Sequence, residues 1–279
     1  MKTHEKLLLE ASLAGLAALG GLVFLVAPGR ASKKDKKPFM YKNFAHRGLH
    51  KKDKTVPENS LAAFERASSY GYGMELDVQL SKDGQVVVFH DDTLNRVCGV
   101  DSRVDEKTYD ELSKISLCGT TQTIPLFSEV LKTVRGRGPL IVELKRGRRN
   151  IELCEKTYAL LAEYRGDVCI ESFDPFIVAW FRFHAPELLR GQLAMPAGRY
   201  ENFPKPLAFA LSHGLMNFVC RPQFMAYRIG HRPLTVHIAE MLGAMKVAWT
   251  SHEPKNERGK DAVIFEFYKP SVKFAPKRK

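Results

Sequence analysis

The sequence predicts an α/β fold: a TIM (β/α)₈ barrel with a small insertion after the second strand, preceded by an N-terminal transmembrane helix. Eight short apolar runs alternate with longer amphipathic stretches, which is typical of a barrel of parallel strands and helices. In one of these runs the polar residues Glu75, Asp77 and Gln79 alternate with apolar residues, as expected where one face of a strand points into a barrel. A doubly wound open sheet is the alternative that the same alternation allows.

The predicted transmembrane helix comes first along the chain. Residues 11–28, "ASLAGLAALGGLVFLVAP", contain no charged side chain and reach the lower limit of about 18 residues for crossing a bilayer. Five basic residues follow within residues 29–41, whereas only Lys2 and Lys6 precede the segment. Because the larger basic cluster should stay cytoplasmic, we predict a membrane anchor at residues 1–28, bound to lipid, with the main domain in the cytoplasm. Export of the domain by a signal peptide or signal anchor is the alternative.

The rest of the chain divides into a linker, one domain and a tail. Residues 29–41 are a predicted basic linker, which we also expect to rest on anionic lipid headgroups. The barrel domain is predicted at residues 42–270, and residues 271–279 are a basic C-terminal tail.

The composition is that of a globular protein with a basic excess. The chain has 279 residues, 44% hydrophobic and 27% charged, which is enough for one domain with a full core. Its 43 Lys and Arg against 31 Asp and Glu give a net charge of +12, which favours an anionic membrane surface or an anionic substrate. No nucleic-acid-binding motif accompanies the charge, so nucleic acid is not a predicted partner. Five cysteines without a CxxC pair indicate free thiols in a reducing compartment, although two disulfides beside one thiol also fit the count. Nothing in the sequence predicts an oligomeric state.

Eight runs are the predicted strands of the barrel domain. In chain order they are "NFAHRG" (43–48), "GMELDVQL" (73–80), "PLIVELK" (139–145), "DVCIESF" (167–173), "LRGQLAM" (189–195), "LMNFVC" (215–220), "KVAWT" (246–250) and "AVIFEF" (262–267). The helix candidates between them include "NSLAAFERASSYG" (59–71), "LFSEVLKTVRG" (126–136), "NIELCEKTYALLAEYRG" (150–166) and "LTVHIAEMLGAM" (234–245). Asn59 and Ser60 are predicted to cap the first helix and Gly71 to end it.

The second strand is followed by a predicted hairpin and the insertion. After Leu80, "KDG" predicts a tight turn, and "VVVF" at 86–89 predicts a strand that returns to His90. Residues 91–123 then interrupt the alternation of strands and helices. We therefore expect the insertion here, lying over the mouth of the barrel.

Three carboxylates are predicted to point into the barrel. Glu75 and Asp77 share the inward parity of the second strand, and Glu143 has the same parity in "PLIVELK". Carboxylates that converge in a barrel repel one another unless a cation balances them or some are protonated. Oxygen ligands without cysteine suit Mg²⁺ or Ca²⁺. The structural alternative is that Glu75 or Glu143 only pairs with Lys145 or an arginine.

Two histidines border this acidic cluster. His46 follows the apolar part of the first run and His90 ends the hairpin, and such a pair indicates a general base and a general acid. A structural role is the alternative for either histidine taken alone. Arg47 and Lys145 supply positive charge for an anionic oxygen. This set of residues fits the cleavage of a phosphate ester.

Several motifs contain these residues in a fixed order. They are "AHRG" (45–48), "PENSLAAF" (57–64), "ELDVQLSKDGQVVVFHDDTLNR" (75–96), "IPLFSEVL" (124–131), "VELK" (142–145), "SFDP" (172–175) and "VAWT" (247–250). Together they resemble the glycerophosphodiester phosphodiesterase family over residues 42–270. The resemblance implies a TIM barrel, one divalent cation, Mg²⁺ or Ca²⁺, and hydrolysis of a glycerophosphodiester to glycerol 3-phosphate and an alcohol.

The resemblance also implies a role for each matched residue. Glu75, Asp77 and Glu143 would be the metal ligands, His46 and His90 the acid–base pair, and Arg47 and Lys145 the phosphate-binding residues. In addition, we expect two aromatic residues to line the substrate pocket, Phe173 and Trp249. For the last two, ordinary core packing is the alternative. In the mechanism usual for the family, one histidine deprotonates the glycerol 2-hydroxyl, which attacks phosphorus, and the other protonates the leaving alcohol. Water then opens the cyclic phosphate.

Two departures from the family pattern lie near the predicted mouth. Ser251 and His252 follow "WT" where the family often has Val-Asn, and Glu266 stands where the family commonly has an aspartate. We expect both to affect selectivity for the alcohol. The predicted anchor adds lysophospholipids to soluble glycerophosphodiesters as substrates. The alternatives are a catalytically idle, membrane-tethered barrel that binds phosphodiesters, and a phosphodiesterase for another lipid headgroup, such as a phosphoinositide or a sphingolipid.

Overall fold

The architecture is a closed barrel, seen in a computed structural model that describes residues 3–201 and 203–276. Within these residues, eight parallel strands form the barrel, and one further short strand pairs antiparallel with the second of them. The strands are β1 (Lys42–Ala45), β2 (Gly73–Leu80), β3 (Val86–Val88), β4 (Leu140–Leu144), β5 (Val168–Ser172), β6 (Leu189–Ala194), β7 (Phe224–Arg228), β8 (Met245–Ser251) and β9 (Ala262–Phe265). Strand β1 pairs with both β2 and β9, which closes the sheet. The predicted barrel is therefore confirmed, and the open-sheet alternative is wrong.

Helices connect these strands. In the described part of the chain the α-helices are α1 (Thr3–Val26), α2 (Lys33–Lys36), α3 (Leu61–Tyr70), α4 (Asn95–Cys98), α5 (Tyr109–Leu112), α6 (Phe127–Val134), α7 (Asn150–Ala162), α8 (Pro175–His184), α9 (Lys205–Ser212), α10 (Asn217–Cys220) and α11 (Leu234–Met241). Short 3₁₀ turns cover Val104–Glu106, Ala197–Arg199 and Pro254–Glu257. The four helices expected from the sequence correspond to α3, α6, α7 and α11.

Alternation along the strands separates two apolar cores and positions the acidic residues. On β2, Leu76 and Val78 pack in the core between the barrel and its helices. Glu75 and Asp77, at the positions between, take the inward side and are almost completely buried. Ile141 on β4 packs in a second core inside the barrel. The predicted parity of these strands is therefore correct.

Helix α3 begins and ends through local capping. The Ser60 hydroxyl accepts a hydrogen bond from Ala63 N at 3.1 Å, and Gly71 ends the helix with a left-handed φ of 76°. Asn59 does not cap the helix, because its Nδ2 donates to Asp77 Oδ2 at 2.8 Å. The prediction is correct for Ser60 and Gly71 and wrong for Asn59, whose side chain turns into the barrel.

The strand predicted at residues 215–220 is wrong, because this apolar run contains helix α10. The buried Asn217 and Cys220 lie three positions apart in it, a spacing that places two side chains on one face of a helix. Strand β7 begins only after Arg221, whose φ of 44° turns the chain, and the proline that follows. A short apolar run fits a buried strand and a helical turn equally well.

The predicted hairpin and insertion follow β2. Val78 pairs with Val88, and Leu80 with Val86, in antiparallel register. The insertion at residues 91–123 packs with residues on either side of it in a small core, formed by Val87, Phe89, Leu94, Val97, Val104, Leu112, Leu117 and Ile124. Its C-terminal part contacts the first turn of α3. Phe89 belongs to this core and immediately precedes His90, so the core positions the backbone that carries the imidazole.

The predicted linker, residues 29–41, packs against the barrel. Phe39 is buried in the core inside the barrel, beside Ile141 and Phe224. Lys36 Nζ donates to Gly243 O at 2.8 Å. The expected contact of this linker with anionic lipid headgroups stays a prediction.

The predicted transmembrane helix is not supported. The apolar segment does form a helix, but α1 ends at Val26. Its apolar part, residues 11–26, is therefore only about 24 Å long. The hydrocarbon core of a bilayer is thicker, about 30 Å. Across residues 3–201 and 203–276, no helix combines the length and the apolarity needed to span a bilayer. The C-terminal end of α1 instead binds the barrel, where Asn217 Nδ2 donates to Val26 O at 3.0 Å. The cytoplasmic placement of the domain stays a prediction.

Both ends of the chain extend beyond the described residues. Residues 1–2 of the predicted anchor, including Lys2, lie outside them, as do residues 277–279 of the predicted tail. The boundaries of the linker, the domain and the tail stay predictions.

The cysteines are unpaired, as predicted. All five lie among the described residues as free thiols, which are Cys98, Cys118, Cys154, Cys169 and Cys220. Burial raises the pKa of Cys154 to about 12, so this thiol is protonated at neutral pH. The alternative with two disulfides is therefore wrong.

Candidate active site

Three buried carboxylates meet near the C-terminal ends of β2 and β4. Parallel register places Asp77 beside Glu143, and Glu75 lies two residues earlier on β2. One oxygen atom from each of the three lies within 4.8 Å of the others. The structure therefore brings together the three residues predicted as metal ligands.

The electrostatics of this cluster reflect an excess of negative charge. Burial, with repulsion from Asp77 and Glu143, raises the pKa of Glu75 well above its ordinary value. Burial also raises the pKa of Glu143, and Lys145 offsets only part of that shift. Asp77 differs: although burial opposes ionisation, neighbouring positive charge, first that of His90, holds its pKa far below the ordinary value. A cation among the three oxygens would favour the ionised form of each carboxylate.

The donor atoms of the cluster fit a hard divalent cation. All of them are carboxylate oxygens, which Mg²⁺ and Ca²⁺ prefer. Asp77 Oδ1 is buried and makes no hydrogen bond to any described residue, so it is available as a ligand. Asn59 holds the other oxygen of Asp77 at 2.8 Å, which fixes the orientation of this carboxylate.

Lys145 and Arg47 flank the carboxylates. Lys145 Nζ lies 2.8 Å from Glu143 Oε1 and 3.4 Å from Asp77 Oδ1. Arg47 Nε lies 3.5 Å from Asp77 Oδ2, and the backbone N of Arg47 donates to Glu75 Oε2 at 2.9 Å. Glu143 therefore does form the ion pair with Lys145 that the structural alternative to a metal site requires. Two positive side chains nevertheless stand beside three carboxylates, which leaves negative charge for a cation.

His46 follows β1 and stands between the carboxylate cluster and Glu266. Its Nδ1 lies 3.0 Å from Glu266 Oε2, and its Nε2 lies 3.9 Å from Glu75 Oε2. When Glu266 accepts a hydrogen bond from Nδ1–H, the lone pair of Nε2 faces the cluster. Burial lowers the pKa of His46, and Glu266 reverses only part of that shift. His46 is therefore neutral at neutral pH, as a general base must be.

His90 is held in the same way. Its Nδ1 lies 2.5 Å from Asp91 Oδ1, and Arg96 Nε donates to Asp91 Oδ2 at 2.6 Å. Although burial opposes ionisation, these bonds from His90 and Arg96 keep the pKa of Asp91 below its ordinary range. His90 lines the same cavity as His46 and Glu143, and the contact of its Nδ1 with Asp91 leaves Nε2 for other contacts.

Glu58 is a site residue that the sequence did not predict. Its Oε1 accepts hydrogen bonds from Arg47 Nη1 and Arg96 Nη2, both at 2.6 Å, and its Oε2 accepts from Arg96 Nη1 at 2.8 Å. Burial opposes ionisation, yet these bonds from Arg96 and Arg47 lower the pKa of Glu58 to about 2. Glu58 belongs to the "PENS" motif, but the motif does not reveal its two arginine partners.

Glu171 is a second residue that the prediction missed. It lies on β5 in register with Glu143, lines the same cavity and is only 1% exposed. Burial and the charge of Glu143 raise its pKa well above the ordinary value. The sequence does carry a signal for it, because Glu171 has the same inward parity in "DVCIESF" that Glu143 has in "PLIVELK".

Glu266 has a larger role than the sequence suggested. The sequence predicts only an effect on alcohol selectivity, but the Glu266 carboxylate lies within 3.6 Å of three imidazoles, those of His46, His50 and His252. His50 and His252 come from segments far apart in the sequence. No local pattern could therefore have predicted the contact.

Phe173 and Trp249 form the apolar side of the cavity. Their rings meet edge to face, with centroids 5.7 Å apart, and they line the cavity with Leu193 and Ile264. Trp249 Nε1 donates to Ala226 O at 2.8 Å, which fixes the indole. Both rings also pack on the core inside the barrel, so their pocket-lining position and their core packing coexist.

Comparison with known proteins agrees with this geometry. The chain matches the Glycerophosphoryl diester phosphodiesterase family over residues 46–269. A glycerophosphodiester phosphodiesterase from Bacillus altitudinis is 40% identical over 126 residues, which cover 43% of this chain and 47% of that protein. Lysophospholipase D GDPD1 from Rattus norvegicus is 32% identical over 169 residues, which cover 54% of this chain and 52% of that protein. The chain thus spans about half the length of these curated relatives.

Solved structures share the barrel. A glycerophosphodiester phosphodiesterase from Thermotoga maritima superposes with a TM-score of 0.61 at 26% identity, over 80% of this chain and 93% of that one. A phosphodiesterase from Oleispira antarctica, solved with the product sn-glycerol-3-phosphate, gives a TM-score of 0.67 at 24% identity, over 82% and 94%. These likenesses agree with the fold described above.

Proposed function

The chain belongs to the Glycerophosphoryl diester phosphodiesterase family, and on that premise we propose that it hydrolyses glycerophosphodiesters to glycerol 3-phosphate and an alcohol. One observation carries the proposal: His46, His90, Glu75 and Glu143 line a single cavity of the barrel. Barrels of this type hold their catalytic groups at the C-terminal ends of the strands. The alternative of a catalytically idle barrel does not explain why carboxylates are buried beside two imidazoles, each of which is held by a further acidic residue.

A divalent cation, Mg²⁺ or Ca²⁺, is part of this proposal. The residues that would hold it are Glu75, Asp77 and Glu143. When bound there, it would stabilise negative charge on the phosphoryl oxygens. Asp77 Oδ1 accepts no hydrogen bond from the described residues, and the pKa of Glu75 is raised. Both observations support a site that needs more positive charge than Lys145 and Arg47 provide.

His46 is the proposed general base of the first step. Its Nε2 accepts the proton of the glycerol 2-hydroxyl. At the same time the 2-oxygen forms a bond to phosphorus, and the bond between phosphorus and the oxygen of the leaving alcohol breaks. Glu266 keeps the ring in the required tautomer, because it accepts from Nδ1–H at 3.0 Å. The lowered pKa of His46 supports this choice, since a base must be neutral before it can accept a proton.

His90 is the proposed general acid. Its Nε2 donates a proton to the oxygen of the leaving alcohol, and Asp91 stabilises the imidazolium beforehand at 2.5 Å. In the second step the roles reverse: His90 accepts a proton from water, the hydroxide opens the cyclic phosphate, and His46 returns its proton to the 2-oxygen. Both histidines then regain their initial states.

Arg47 and Lys145 are the proposed phosphate-binding residues. Arg47 is held by Glu58 at 2.6 Å, and Lys145 by Glu143 at 2.8 Å, so both cations are positioned before the substrate binds. Although burial opposes the charged form, Glu143 and Asp77 raise the pKa of Lys145, which keeps the amine protonated. Two fixed positive charges suit the non-bridging oxygens of a phosphodiester.

Lysophospholipids are the second substrate class that we propose. One relative, at 32% identity, carries the name lysophospholipase D. The apolar side of the cavity, formed by Phe173, Trp249, Leu193 and Ile264, offers surface to the hydrocarbon part of such a substrate. No feature of the described residues favours a phosphoinositide or a sphingolipid over these substrates.

Release of choline from glycerophosphocholine and from lysophosphatidylcholine tests the proposal. The purified protein is assayed after chelation and again with Mg²⁺ or Ca²⁺, and we expect release that depends on the cation. Folded protein that releases no choline from either substrate with cation present would support the idle barrel. Activity confined to sphingomyelin or a phosphoinositide would support the other lipid headgroup.

A further inference from the structure

We propose that His46, His50 and Glu266 form a second metal site, suited to zinc and separate from the all-oxygen cluster, and that zinc bound there inhibits the enzyme. The inhibition rests on the proposed function, because it requires His46 to act as a base. The metal binding itself rests only on the geometry of these residues.

The donor atoms of the three residues converge. His46 Nδ1 lies 3.0 Å and His50 Nε2 lies 3.5 Å from the same oxygen, Glu266 Oε2. One possible ligand atom from each of the three residues lies within 4.8 Å of the others. Ligands about 2.0–2.2 Å from a tetrahedral Zn²⁺ stand about 3.3–3.5 Å apart. The observed spacings thus require only small movements to enclose an ion.

His50 provides an independent observation that points to a ligand at this position. Its side chain is only 8% exposed, and its Nε2 makes no hydrogen bond of ordinary geometry to any described residue. A buried ring nitrogen that forms no well-aligned hydrogen bond to the described residues is unfavourable, so native structures seldom leave one. A metal ion beside Glu266 would satisfy it.

Phe267 holds the imidazoles in place. Its ring meets His50 edge to face at 5.0 Å and stacks on His252 at 6.0 Å with a 13° interplanar angle. Phe267 adopts a left-handed φ of 62°, a conformation that bulky residues rarely occupy. The other oxygen of Glu266 lies 3.6 Å from His252 Nε2, so this exposed histidine is within reach as an additional ligand.

The chemistry of the donors distinguishes the two sites. Two imidazole nitrogens with one carboxylate form the His₂Glu set that zinc binds in catalytic sites, with a fourth position open. The cluster of Glu75, Asp77 and Glu143 contains only oxygens and suits harder ions. Mg²⁺ and Zn²⁺ should therefore bind at different places in the same chain.

Zinc at this site would remove the base. A neutral imidazole that binds a metal through Nδ1 carries its proton on Nε2, so the proton of His46 moves from one nitrogen to the other. Nε2 then has no lone pair to accept a proton from the glycerol hydroxyl. Hydrolysis should stop although the phosphate-binding residues are unchanged.

Titration with Co²⁺, a spectroscopic substitute for Zn²⁺, tests the site without using activity. Protein saturated with Mg²⁺ should bind one Co²⁺ per chain with visible d–d absorption, and Zn²⁺ should displace it. Choline release should fall in parallel with zinc binding, and added Mg²⁺ should not restore it. Restoration by excess Mg²⁺, or absence of the Co²⁺ band, would overturn the proposal.

His50→Gln is the discriminating variant, with His237→Gln as its control. We expect His50→Gln to bind Co²⁺ and to be inhibited by Zn²⁺ about 10-fold or more weakly, with near wild-type turnover in the absence of zinc. His237 is exposed on α11, where its Nδ1 lies 3.3 Å from Glu240 Oε2. Its variant should therefore match the wild type in Co²⁺ binding and in zinc inhibition. Thermal unfolding by circular dichroism verifies that each variant is folded. Unchanged zinc inhibition in folded His50→Gln would contradict the site. A wild-type protein that binds Co²⁺ but has no hydrolytic activity would contradict only the proposed function.

Discussion

At the scale of single residues, the two candidate catalytic histidines share one arrangement, a carboxylate on Nδ1. Glu266 lies 3.0 Å from His46 Nδ1, and Asp91 lies 2.5 Å from His90 Nδ1. A fixed Nδ1 leaves Nε2 as the nitrogen that exchanges a proton with the substrate. The arrangement therefore accounts for both proton transfers in the proposed reaction.

Replacing either histidine should reduce turnover. We expect His46→Ala and His90→Ala each to lower kcat by about 10²-fold or more, because each variant removes one proton transfer. The measurement is choline release from glycerophosphocholine at saturating Mg²⁺, with circular dichroism to verify folding. His213→Ala, on an exposed histidine at the end of α9, is the control and should retain wild-type turnover. A near-normal rate in either active-site variant would remove that histidine from the mechanism.

The acid side of the pH profile should identify His46 as the base. Its folded pKa lies below the ordinary 6.5, so kcat/KM should hold as pH falls through 6.5 and decline only at lower pH. Glu266→Gln removes the carboxylate that raises this pKa. The decline should therefore move to still lower pH, while kcat falls because the tautomer is held less firmly. A decline that moves to higher pH, or does not move, would contradict the positioning role of Glu266.

Strand alternation explains which site residues the sequence could predict. The three predicted metal ligands follow from parity, which is a local property, and the same rule would have found Glu171. Glu58 could not be found in this way. Its partners Arg47 and Arg96 come from the end of β1 and from the insertion, and they meet only in the folded chain.

At the scale of elements, Glu58 joins the insertion to the barrel. The loop before α3 carries Glu58, which binds Arg47 after β1 and Arg96 on α4. Arg96 also binds Asp91, which holds His90. The position of one catalytic candidate therefore depends on how the insertion packs on this loop.

Glu58→Gln should destabilise the protein in a pH-dependent way. The variant weakens charged hydrogen bonds to two arginines, so we expect the free energy of unfolding to fall by about 2 kcal/mol at neutral pH. The pKa of Glu58 is about 2 in the folded chain against an ordinary 4.5. Its stabilisation is therefore complete above the unfolded value and is lost as pH falls towards the folded value.

Urea unfolding of Glu58→Gln at neutral pH and at about pH 3 measures this effect. The difference from wild type should be larger at neutral pH. Glu65→Gln is the control, because Glu65 pairs with Arg137 in a bidentate but exposed contact and should contribute less. A deficit in Glu58→Gln that grows on acidification would contradict the lowered pKa.

Sequence patterns predict some elements of secondary structure well and others poorly. Strands β2 and β4 are predicted well because acidic and apolar residues alternate along them. The run at 215–220 has no such alternation, and only tertiary packing decides that it becomes α10. Strand β7 is missed for the same reason.

At the scale of the whole molecule, the barrel interior holds an apolar core beside the polar site. Aromatic and aliphatic side chains fill the core, which includes Phe39, Phe44, Ile141, Leu189, Phe224 and Met245. Gly191 leaves the space that the Phe224 ring occupies, since a Cβ there would lie 1.9 Å from Phe224 Cε2. The packing of this core holds the strands that carry the carboxylates.

Gly191→Ala should therefore destabilise the whole barrel. The added methyl group overpacks the interior, and we expect the free energy of unfolding to fall by about 1–3 kcal/mol. Gly198→Ala is the matched control, because a Cβ at Gly198 meets no atom of the described residues within 4 Å. Urea unfolding curves provide the comparison. Equal stability of the two variants would contradict the described packing of Phe224.

The global architecture follows from the sequence more securely than the N-terminal segment does. The barrel is predictable because eight strands must alternate with helices to close it. The transmembrane prediction counted apolar residues to Pro28, whereas the helix ends at Val26 and its last turn binds α10. Hydropathy along the sequence does not predict tertiary contacts of this kind.

Calcium binding measured by isothermal titration calorimetry tests the central claim most directly, namely that carboxylates from β2 and β4 together hold one divalent cation. Metal-free wild-type protein should bind one Ca²⁺ per chain at these carboxylates. Folded Asp77→Asn should bind it about 10-fold or more weakly, because a ligand charge is lost. Equal affinity in the two proteins would contradict the claim.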